Sequence, residues 1–160
     1  MFSSRKNLRL ADYDYSQSGA YFITVCTKDR KCILSTIVGA DAHIGPKVLL
    51  TSAGVVAEKY IKTIPGIDAY VIMPNHVHMI LKISSTYVLD GPMWASAPTK
   101  AHVSSLVRSW KTLVSKELGN SIWQRSYYDH IIRNECDYLT KLQYIADNPA
   151  RWRNDDYYPL

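Results

Sequence analysis

Short blocks of aliphatic, aromatic and β-branched residues recur through the first half of the chain, each bounded by polar or turn-forming residues. Such blocks are typical of strands in a buried or half-buried sheet. Pro74 interrupts the longest block, and because proline has no amide hydrogen for a sheet ladder, we expect two strands there rather than one. The pattern predicts strands at residues 20–27, 32–34, 47–50, 67–73 and 76–83.

Three other segments repeat apolar residues at helical spacing, which predicts amphipathic helices. Thr51 and Asn134 can cap two of these helices at the amino end, and Pro149 closes the last one. The predicted helices cover residues 53–64, 103–118 and 135–147. In the first helix, the residues expected to face the core are Val55, Val56, Tyr60 and Ile61.

The main elements follow the order strand, helix, strand, strand, helix and a further helix. This order predicts an α+β protein in which helices pack on a largely antiparallel sheet. With 160 residues the chain can bury one core, so we expect a single domain over residues 1–160. Residues 84–99 are rich in Ser, Thr, Gly and Pro around Trp94, which indicates a long loop and a candidate lid or DNA clamp.

Composition narrows the class of protein. There are 19 Lys and Arg against 14 Asp and Glu, a net charge of +5 that favours a polyanionic partner without establishing one. Cys26, Cys32 and Cys136 have no Cys-x-x-Cys spacing, and the first residues lack a secretory apolar core. No apolar run approaches the ~20 residues that span a bilayer. We therefore expect a cytoplasmic protein with no membrane partner.

The segment His76-Val77-His78 lies inside one of the predicted strands. Residues two apart on a strand point to the same face, so both imidazoles are expected side by side on the sheet. Two histidines supply only part of a metal site, because a usual catalytic site has three or more protein ligands. The alternative is a pair of core histidines that are satisfied by hydrogen bonds.

A second candidate group lies in the last predicted helix, where Tyr144 and Asn148 are four residues apart and therefore share a helical face. An oxygen-bearing side chain there can supply a third metal ligand. Taken alone, a tyrosine at this spacing is more often a core-packing residue, and an asparagine before Pro149 is more often a helix stop.

Together these motifs resemble the single-tyrosine HUH transposases, in which H and U stand for histidine and a hydrophobic residue, and specifically their REP-associated tyrosine transposase-like branch. The resemblance covers most of the chain. It rests on residues 20–27, on residues 71–78, on residues 123–133, and on Tyr144-Ile145-x-x-Asn148-Pro149, in that order. It implies a ferredoxin/RRM-like antiparallel sheet with helices packed on it, the HUH endonuclease fold.

The resemblance also implies a set of functional residues and a reaction. His76, His78 and Asn148 are expected as ligands of a divalent metal, Mg²⁺ or Mn²⁺, and Tyr144 as the nucleophile. The implied substrate is single-stranded, hairpin-forming DNA, and the product is a 5′-phosphotyrosine with a free 3′-hydroxyl. Lys141 is a candidate for stabilising the tyrosine oxygen, or else a solvated residue of the helix. Other tyrosines near the motif are Tyr127, Tyr128 and Tyr138.

DNA is expected to contact basic side chains at its phosphates and aromatic side chains at its bases. The basic candidates are Arg108, Lys111, Arg125, Arg133, Lys141 and Arg151, with Arg153 also available. The aromatic candidates are Trp94, Trp110, Trp123 and Trp152. For each one, ordinary packing or solvation is an alternative. We expect His102 and His130 to be structural or to face DNA rather than to bind metal.

Two other classes of protein account for parts of this pattern. A non-catalytic nucleic-acid-binding module needs the basic and aromatic residues but not Tyr144. A metal-dependent phosphodiesterase needs His76 and His78 but releases DNA without a protein adduct. The combination of His-x-His with a helical tyrosine and asparagine favours the transposase, while the choice between a monomer and a homodimer stays open.

Overall fold

The computed structural model describes residues 18–39, 45–84 and 103–159. The strands are β1 Gly19–Cys26, β2 Ser35–Val38, β3 Lys47–Leu50, β4 Ile67–Ile72, β5 His76–Ile83 and β6 Tyr128–Ile132. The helices are α1 Ser52–Ile61, α2 Val103–Leu118 and α3 Glu135–Asp147, with short 3₁₀ turns at Lys28–Arg30 and Trp152–Asn154.

Four strands form one antiparallel sheet in the order β4-β5-β1-β6, and β2 and β3 form a separate two-stranded ribbon. The succession β1, α1, β4, β5, α2, β6 is the split βαβ arrangement of ferredoxin-like proteins. This confirms the predicted α+β class with helices on an antiparallel sheet. In the part of the chain that the structure describes, no helix has the length and apolar character needed to cross a membrane.

The two faces of the sheet are covered by different helices. One face carries Tyr21, Ile23 and Val25 of β1, which join the larger core beneath α1 and α2. The opposite face carries Phe22, which joins a smaller cluster with Ile145 of α3. Because side chains alternate along a strand, the histidines of β5 lie on the face that α3 covers.

The first part of the ribbon differs from the prediction of a strand at residues 32–34. The strand is Ser35–Val38, paired with β3. Leu34 is instead tied to loops, because its amide donates to the Pro74 carbonyl and its own carbonyl accepts from the Thr51 amide. The apolar pattern marked a buried segment correctly but not the residues that find a strand partner.

Helix α1 is shorter than predicted, ending at Ile61, and three of its four predicted core residues pack on the core, namely Val56, Tyr60 and Ile61. Val55 is 55% exposed, whereas Gly54 and Ala57 are buried. A Cβ at position 54 would lie 2.0 Å from the Leu34 carbonyl oxygen, so only glycine allows this close approach. The small residues Gly54 and Ala57 allow the helix to approach its neighbours closely, and a pattern of large apolar side chains cannot reveal such an approach.

Strand β6, at the edge of the sheet, was not predicted as a strand. It pairs with residues 20–24 of β1. Its side chains are half-buried or exposed, and its sequence lacks the long apolar block from which the buried strands were predicted. The candidate lid at residues 84–99, with Trp94, lies almost wholly outside the described residues, and so does His102.

Candidate metal and nucleophile site

Strand β5 places both predicted histidines on the sheet face that α3 covers. His76 and His78 are 0% and 1% exposed, and their ring centroids are 4.5 Å apart. On the neighbouring strand β1, Cys26 and Thr24 lie directly opposite them. The His-x-His spacing therefore brings the two imidazoles together, as the sequence predicted.

The Nδ1 atom of each histidine is hydrogen-bonded to a residue outside the motif. His76 Nδ1 lies 2.8 Å from Asn75 Oδ1, and the Asn75 amide nitrogen donates to the carbonyls of Arg30 and Tyr157 at 3.2 and 2.7 Å. Because the amide nitrogen has these two acceptors, the Asn75 oxygen must accept, and His76 carries its proton on Nδ1. His76 Nε2 is then left with a lone pair, as a metal ligand requires.

His78 has the corresponding arrangement with a hydroxyl group. Its Nδ1 atom lies 2.8 Å from Thr24 Oγ1, and a hydroxyl oxygen is able to accept the Nδ1 proton. In this tautomer the lone pair of His78 is on Nε2. Partners of this kind orient the ligands of known metal sites, and neither Asn75 nor Thr24 was singled out from the sequence.

Asn148 caps the carboxyl end of α3 and is 1% exposed. Its amide nitrogen donates to Asp155 Oδ2 at 2.8 Å. In the described part of the chain, His76 Nε2, His78 Nε2 and Asn148 Oδ1 are buried and make no hydrogen bond of normal geometry. Buried polar atoms without partners are uncommon in folded proteins, so three of them on neighbouring side chains are the donor set expected of a cation site.

Asp155 joins this group and was missed in the sequence. One ligand atom from each of His76, His78 and Asp155 lies within 4.8 Å of the others. Asp155 follows the 3₁₀ turn after α3, and its Oδ1 atom accepts from the Tyr157 amide at 2.8 Å. The signal in the sequence was an acidic pair, Asp155-Asp156, just after the Tyr-Ile-x-x-Asn-Pro motif of a basic chain.

The electrostatics of the site keep both imidazoles neutral. Burial lowers the pKa of His76 to about 4, and the Arg30 charge acts in the same direction, although Asp155 and Asn148 oppose it. Burial also lowers the pKa of His78 well below its ordinary value, with further lowering from His76 and Lys141. Neutral imidazole is the form that binds metals. Two imidazole nitrogens, an amide oxygen and a carboxylate fit a divalent cation.

Tyr144 lies beside the histidine pair on α3. Its side chain is 37% exposed, and its ring meets the rings of His78 and Phe22 edge-on at 5.2 and 5.9 Å. Burial raises the pKa of Tyr144, and the charges of Asp155 and Asp156 raise it further. The phenol is therefore protonated at neutral pH in this arrangement.

Lys141, for which the sequence left open a role at Tyr144 or a solvated position on the helix, lies beside the neighbouring Phe22. Its ammonium lies 5.1 Å from the centre of the Phe22 ring, and its charge acts on His78. The charge of Arg151 opposes the rise in the pKa of Tyr144. Arg151 also forms an exposed ion pair with Asp147 at 3.6 Å.

The other tyrosines differ in their distance from this site. The Tyr138 hydroxyl donates to Asp68 Oδ2 at 2.7 Å, on the part of the face toward β4. Tyr128 lies opposite Thr24 in the register of β1 and β6. Tyr157, which the sequence did not single out, places its ring 4.6 Å from that of His76. Tyr144 and Tyr157 thus border the histidine pair directly.

Several predicted DNA contacts have structural roles instead. Trp110 and Trp123 are 0% and 5% exposed and pack against each other in the core, so neither ring is free to stack on a base. The Lys111 ammonium donates to the carbonyls of Gln124 and Arg125. Trp94 lies outside the described residues.

The other candidates remain at or near the surface. Arg108, Arg125 and Arg133 are exposed, and half-buried Trp152 places its ring 6.0 Å from that of His76. His130, expected to be structural or DNA-facing, lies 2.9 Å from the Asp137 carboxylate.

The fold and this donor set define a class of small α+β proteins that carry a candidate metal site and a tyrosine on one face of an antiparallel sheet. The chain belongs to the IS200-like transposase family, whose model matches residues 15–148. This confirms the resemblance found in the sequence. Membership makes the chain one of a family of DNA-cleaving enzymes.

Similar proteins agree with this assignment. An uncharacterised protein of Haemophilus influenzae is 34% identical over 96% of this chain and 93% of its own length. The REP-associated tyrosine transposase of Escherichia coli K12 is 25% identical over 86% of this chain and 70% of its own length. A solved structure of a REP-associated tyrosine transposase bound to a REP hairpin has the same fold, with a TM-score of 0.59, 23% identity, and coverage of 89% of this chain and 74% of the other.

Proposed function

We propose that this protein nicks and rejoins single-stranded, hairpin-forming DNA through a covalent bond between Tyr144 and a 5′-phosphate. The observation that carries the proposal is the convergence of unpartnered, buried ligand atoms from His76, His78 and Asn148 beside the Tyr144 ring. Family membership supports DNA cleavage as the general activity.

The proposed metal ligands are His76, His78 and Asn148, with the Asp155 carboxylate as a fourth. We propose Mg²⁺ or Mn²⁺ as the ion, because both accept oxygen ligands readily and leave positions for water and phosphate oxygens. When bound, such an ion supplies a Lewis acid that stabilises negative charge on the reacting phosphate.

In the proposed reaction, the Tyr144 oxygen attacks the phosphorus atom of a DNA phosphodiester. A bond forms between Tyr144 Oη and phosphorus, and the bond from phosphorus to the 3′-oxygen breaks. The phenol loses its proton, and the departing 3′-oxygen gains one, so the products are a 5′-phosphotyrosine and a free 3′-hydroxyl. Attack by a 3′-hydroxyl reverses these changes and joins the strands without ATP, because the phosphodiester energy is kept in the adduct.

The neighbours of Tyr144 are suited to holding it in place for this step. Phe22 and His78 contact its ring edge-on, and this restricts the direction in which the phenol oxygen points. Burial and the charges of Asp155 and Asp156 raise the pKa of Tyr144, whereas Asn148, one helical turn later, opposes this rise and so supports loss of the proton. Arg151 acts in the same direction.

Hairpin DNA is proposed as the substrate for two reasons. The REP-associated transposase with the same fold was solved bound to a REP hairpin. The chain itself has a net charge of +5, which favours a polyanion.

The test uses purified protein, a pool of labelled single-stranded hairpin oligonucleotides and Mn²⁺ or Mg²⁺, with products separated on a denaturing gel. We expect a protein–DNA adduct that disappears in Tyr144→Phe and in the presence of a chelator. Tyr70→Phe is the control, because the Tyr70 hydroxyl donates to Glu58 of α1, on the sheet face opposite α3. It should retain the adduct.

Each other result indicates a different mechanism. Cleavage without an adduct indicates a metal-dependent phosphodiesterase, in which water replaces Tyr144 as the nucleophile. An adduct that survives Tyr144→Phe means that another tyrosine, with Tyr157 the first to test, is the nucleophile. Metal-independent binding without cleavage across the pool supports a binding module.

A further inference from the structure

A groove of about 1410 Å³ lies between α2 and residues 119–128, the segment that leads into β6. It is larger than the ~300–1,000 Å³ of usual small-molecule pockets. Its described walls combine basic, amide, hydroxyl and aromatic side chains, including those of Arg108, Asn120, Gln124, Arg125 and Tyr128. These are groups that recognise a polar polymer rather than a single apolar ligand.

The described lining of the groove is strongly cationic. It includes Arg108, Lys111, Lys116 and Arg125 and no acidic side chain among the described residues. Lys111 donates to the carbonyls of Gln124 and Arg125 and so ties the two walls of the groove together. Arg108, Lys116 and Arg125 are exposed, and the described residues give their side chains no hydrogen bond or ion pair. Three cations around one groove, none of them paired by a described residue, indicate an anionic ligand.

Trp123, at the base of this groove, provides a second and independent observation. Its side chain lines the groove and is 5% exposed, yet no residue in the described ranges accepts a hydrogen bond from its Nε1 atom. An unpaired donor in a buried position is destabilising, because it has lost its bond to water without gaining another. Indole N–H can only donate, so the missing partner is an acceptor, as phosphate oxygens and base carbonyls are.

One end of the groove reaches the candidate site. Tyr128 lines the groove and lies directly opposite Thr24, whose hydroxyl is bonded to His78. Directly opposed residues of an antiparallel pair share a face. Gln124, which also lines the groove, donates its backbone amide to the carbonyl of Cys26, and Cys26 lies directly opposite His76. The 44% exposed Tyr128 side chain therefore belongs both to the groove lining and to the sheet face that carries the histidine pair.

We propose that this groove, between α2 and residues 119–128, binds the single DNA strand that leads into the site of cleavage. This inference rests on the proposed function. Arg108, Lys116 and Arg125 contact phosphates, and Tyr128 stacks on the base next to the reacting phosphodiester. A single strand fits better than a duplex stem, because unpaired bases can use the aromatic and amide groups of the groove, whereas a duplex presents mainly its phosphates.

The first experiment measures DNA binding by fluorescence anisotropy in the Tyr144→Phe background, so that no strand is cut. The probes are a labelled oligonucleotide of about 12 nucleotides, within the site size of single-strand binders, and a blunt duplex of the same sequence. The test variant is Arg108→Gln/Arg125→Gln. The matched control is Lys47→Gln/Lys62→Gln, which removes the same charge from two exposed lysines outside the groove.

We expect the groove variant to weaken single-strand binding about tenfold, and to reduce the slope of log affinity against log salt by about 1.4, because two phosphate contacts are lost. The control should change affinity less than about twofold. Equal weakening in both variants, or duplex binding as tight as single-strand binding with the same dependence on Arg108 and Arg125, overturns the proposal. Circular dichroism melting verifies that each variant is folded, and a destabilised double variant is replaced by Lys116→Gln compared with Lys47→Gln.

The second experiment separates this inference from the proposed function. The groove substitutions are made in the protein that retains Tyr144, and adduct formation is followed as the hairpin concentration rises. We expect the half-saturating concentration to rise about tenfold while the amount of adduct at saturation stays unchanged. No adduct in the unsubstituted protein contradicts the proposed chemistry alone, since anisotropy still tests the groove. An adduct whose concentration dependence is unaffected by the groove variant contradicts the groove alone.

Discussion

Asn75 determines which nitrogen of His76 faces the candidate metal. Its amide nitrogen donates to Arg30 and Tyr157, so its oxygen is left to accept from His76 Nδ1. The Arg30 carbonyl reaches Asn75 from a turn in which Asp29 and Arg30 both have positive φ, 56° and 52°. Such backbone costs ~1–3 kcal/mol per residue and persists only where its surroundings hold it. The strained turn at Asp29 and Arg30, together with the Asn75 side-chain amide, thus fixes a single tautomer of His76.

Asp155 gives the candidate site its negative charge, and this makes a direct prediction. Asp155→Asn should weaken Mn²⁺ binding about tenfold or more, the size of effect seen when partners of metal ligands are removed. Titration of the electron paramagnetic resonance signal of free Mn²⁺ measures the affinity. Asp156→Asn is the control, because it changes the same charge at an exposed neighbour. Equal affinities in both variants mean that His76, His78 and Asn148 bind the ion without Asp155.

Among individual residues, the sequence predicted those whose relative positions follow from the geometry of a strand or a helix. His76 and His78 follow from strand alternation, and Tyr144 with Asn148 from helical spacing. Asp155 follows a 3₁₀ turn, and no periodicity relates it to the histidines. Thr24 is 54 residues from His78, and only the register of β1 against β5 brings them together.

Helix α3 carries both Tyr144 and Asn148, but its own core is small. Ile145 is the buried side chain of the helix, packed with Phe22 and Ile80. A second attachment is polar, because Tyr138 and Lys82 both bond to the Asp68 carboxylate. The position of the candidate nucleophile therefore depends on few contacts.

Removing one of these contacts should reduce adduct formation at the site as well as the stability of the fold. Ile145→Ala should lower the free energy of unfolding by about 2–5 kcal/mol, because a cavity forms between α3 and the sheet. Adduct formation should fall even where the protein is still folded, since Tyr144 and Asn148 shift with the helix. Leu139→Ala is the control on the same helix, where the side chain is 53% exposed, and should change stability by less than about 0.5 kcal/mol. Urea unfolding and the adduct assay measure the two effects, and full activity in folded Ile145→Ala contradicts this account.

The predicted bounds of strands β3 and β5 match the structure, and so do those of two helices, α2 and α3. The helix boundaries match because an apolar stripe and local end signals act together, as at Asn134, whose oxygen accepts from the Asp137 amide. Strands β2 and β6 were misplaced or missed because their identity depends on a distant partner. In β6 that partner is β1, and the strand itself has polar residues such as Asp129 and His130. Pairing of this kind is a tertiary property.

Across the whole molecule, burial of two imidazoles should make stability depend on pH in a defined window. Both folded-state pKa values are below the usual 6.5, and that of His76 is about 4. Between these values the unfolded chain binds more protons than the folded one, so stability rises with pH. The contribution is fully present above pH 6.5 and is lost as pH falls toward 4. Asp68 and Asp137, whose pKa values are lowered by their hydrogen bonds, titrate below this window.

We therefore expect the free energy of unfolding, measured in urea with a chelator present, to fall between pH 7 and pH 5 by up to about 1.4 kcal/mol per pH unit for each histidine. His76→Gln/His78→Gln should lose most of this slope, and the comparison removes the contribution of every other histidine. Adding Mn²⁺ at pH 7 should stabilise the unsubstituted protein, because an ion that binds only the folded state shifts the equilibrium toward it. The double variant should not respond to Mn²⁺. An identical pH slope in both proteins means that the buried pair is not the source of the acid sensitivity.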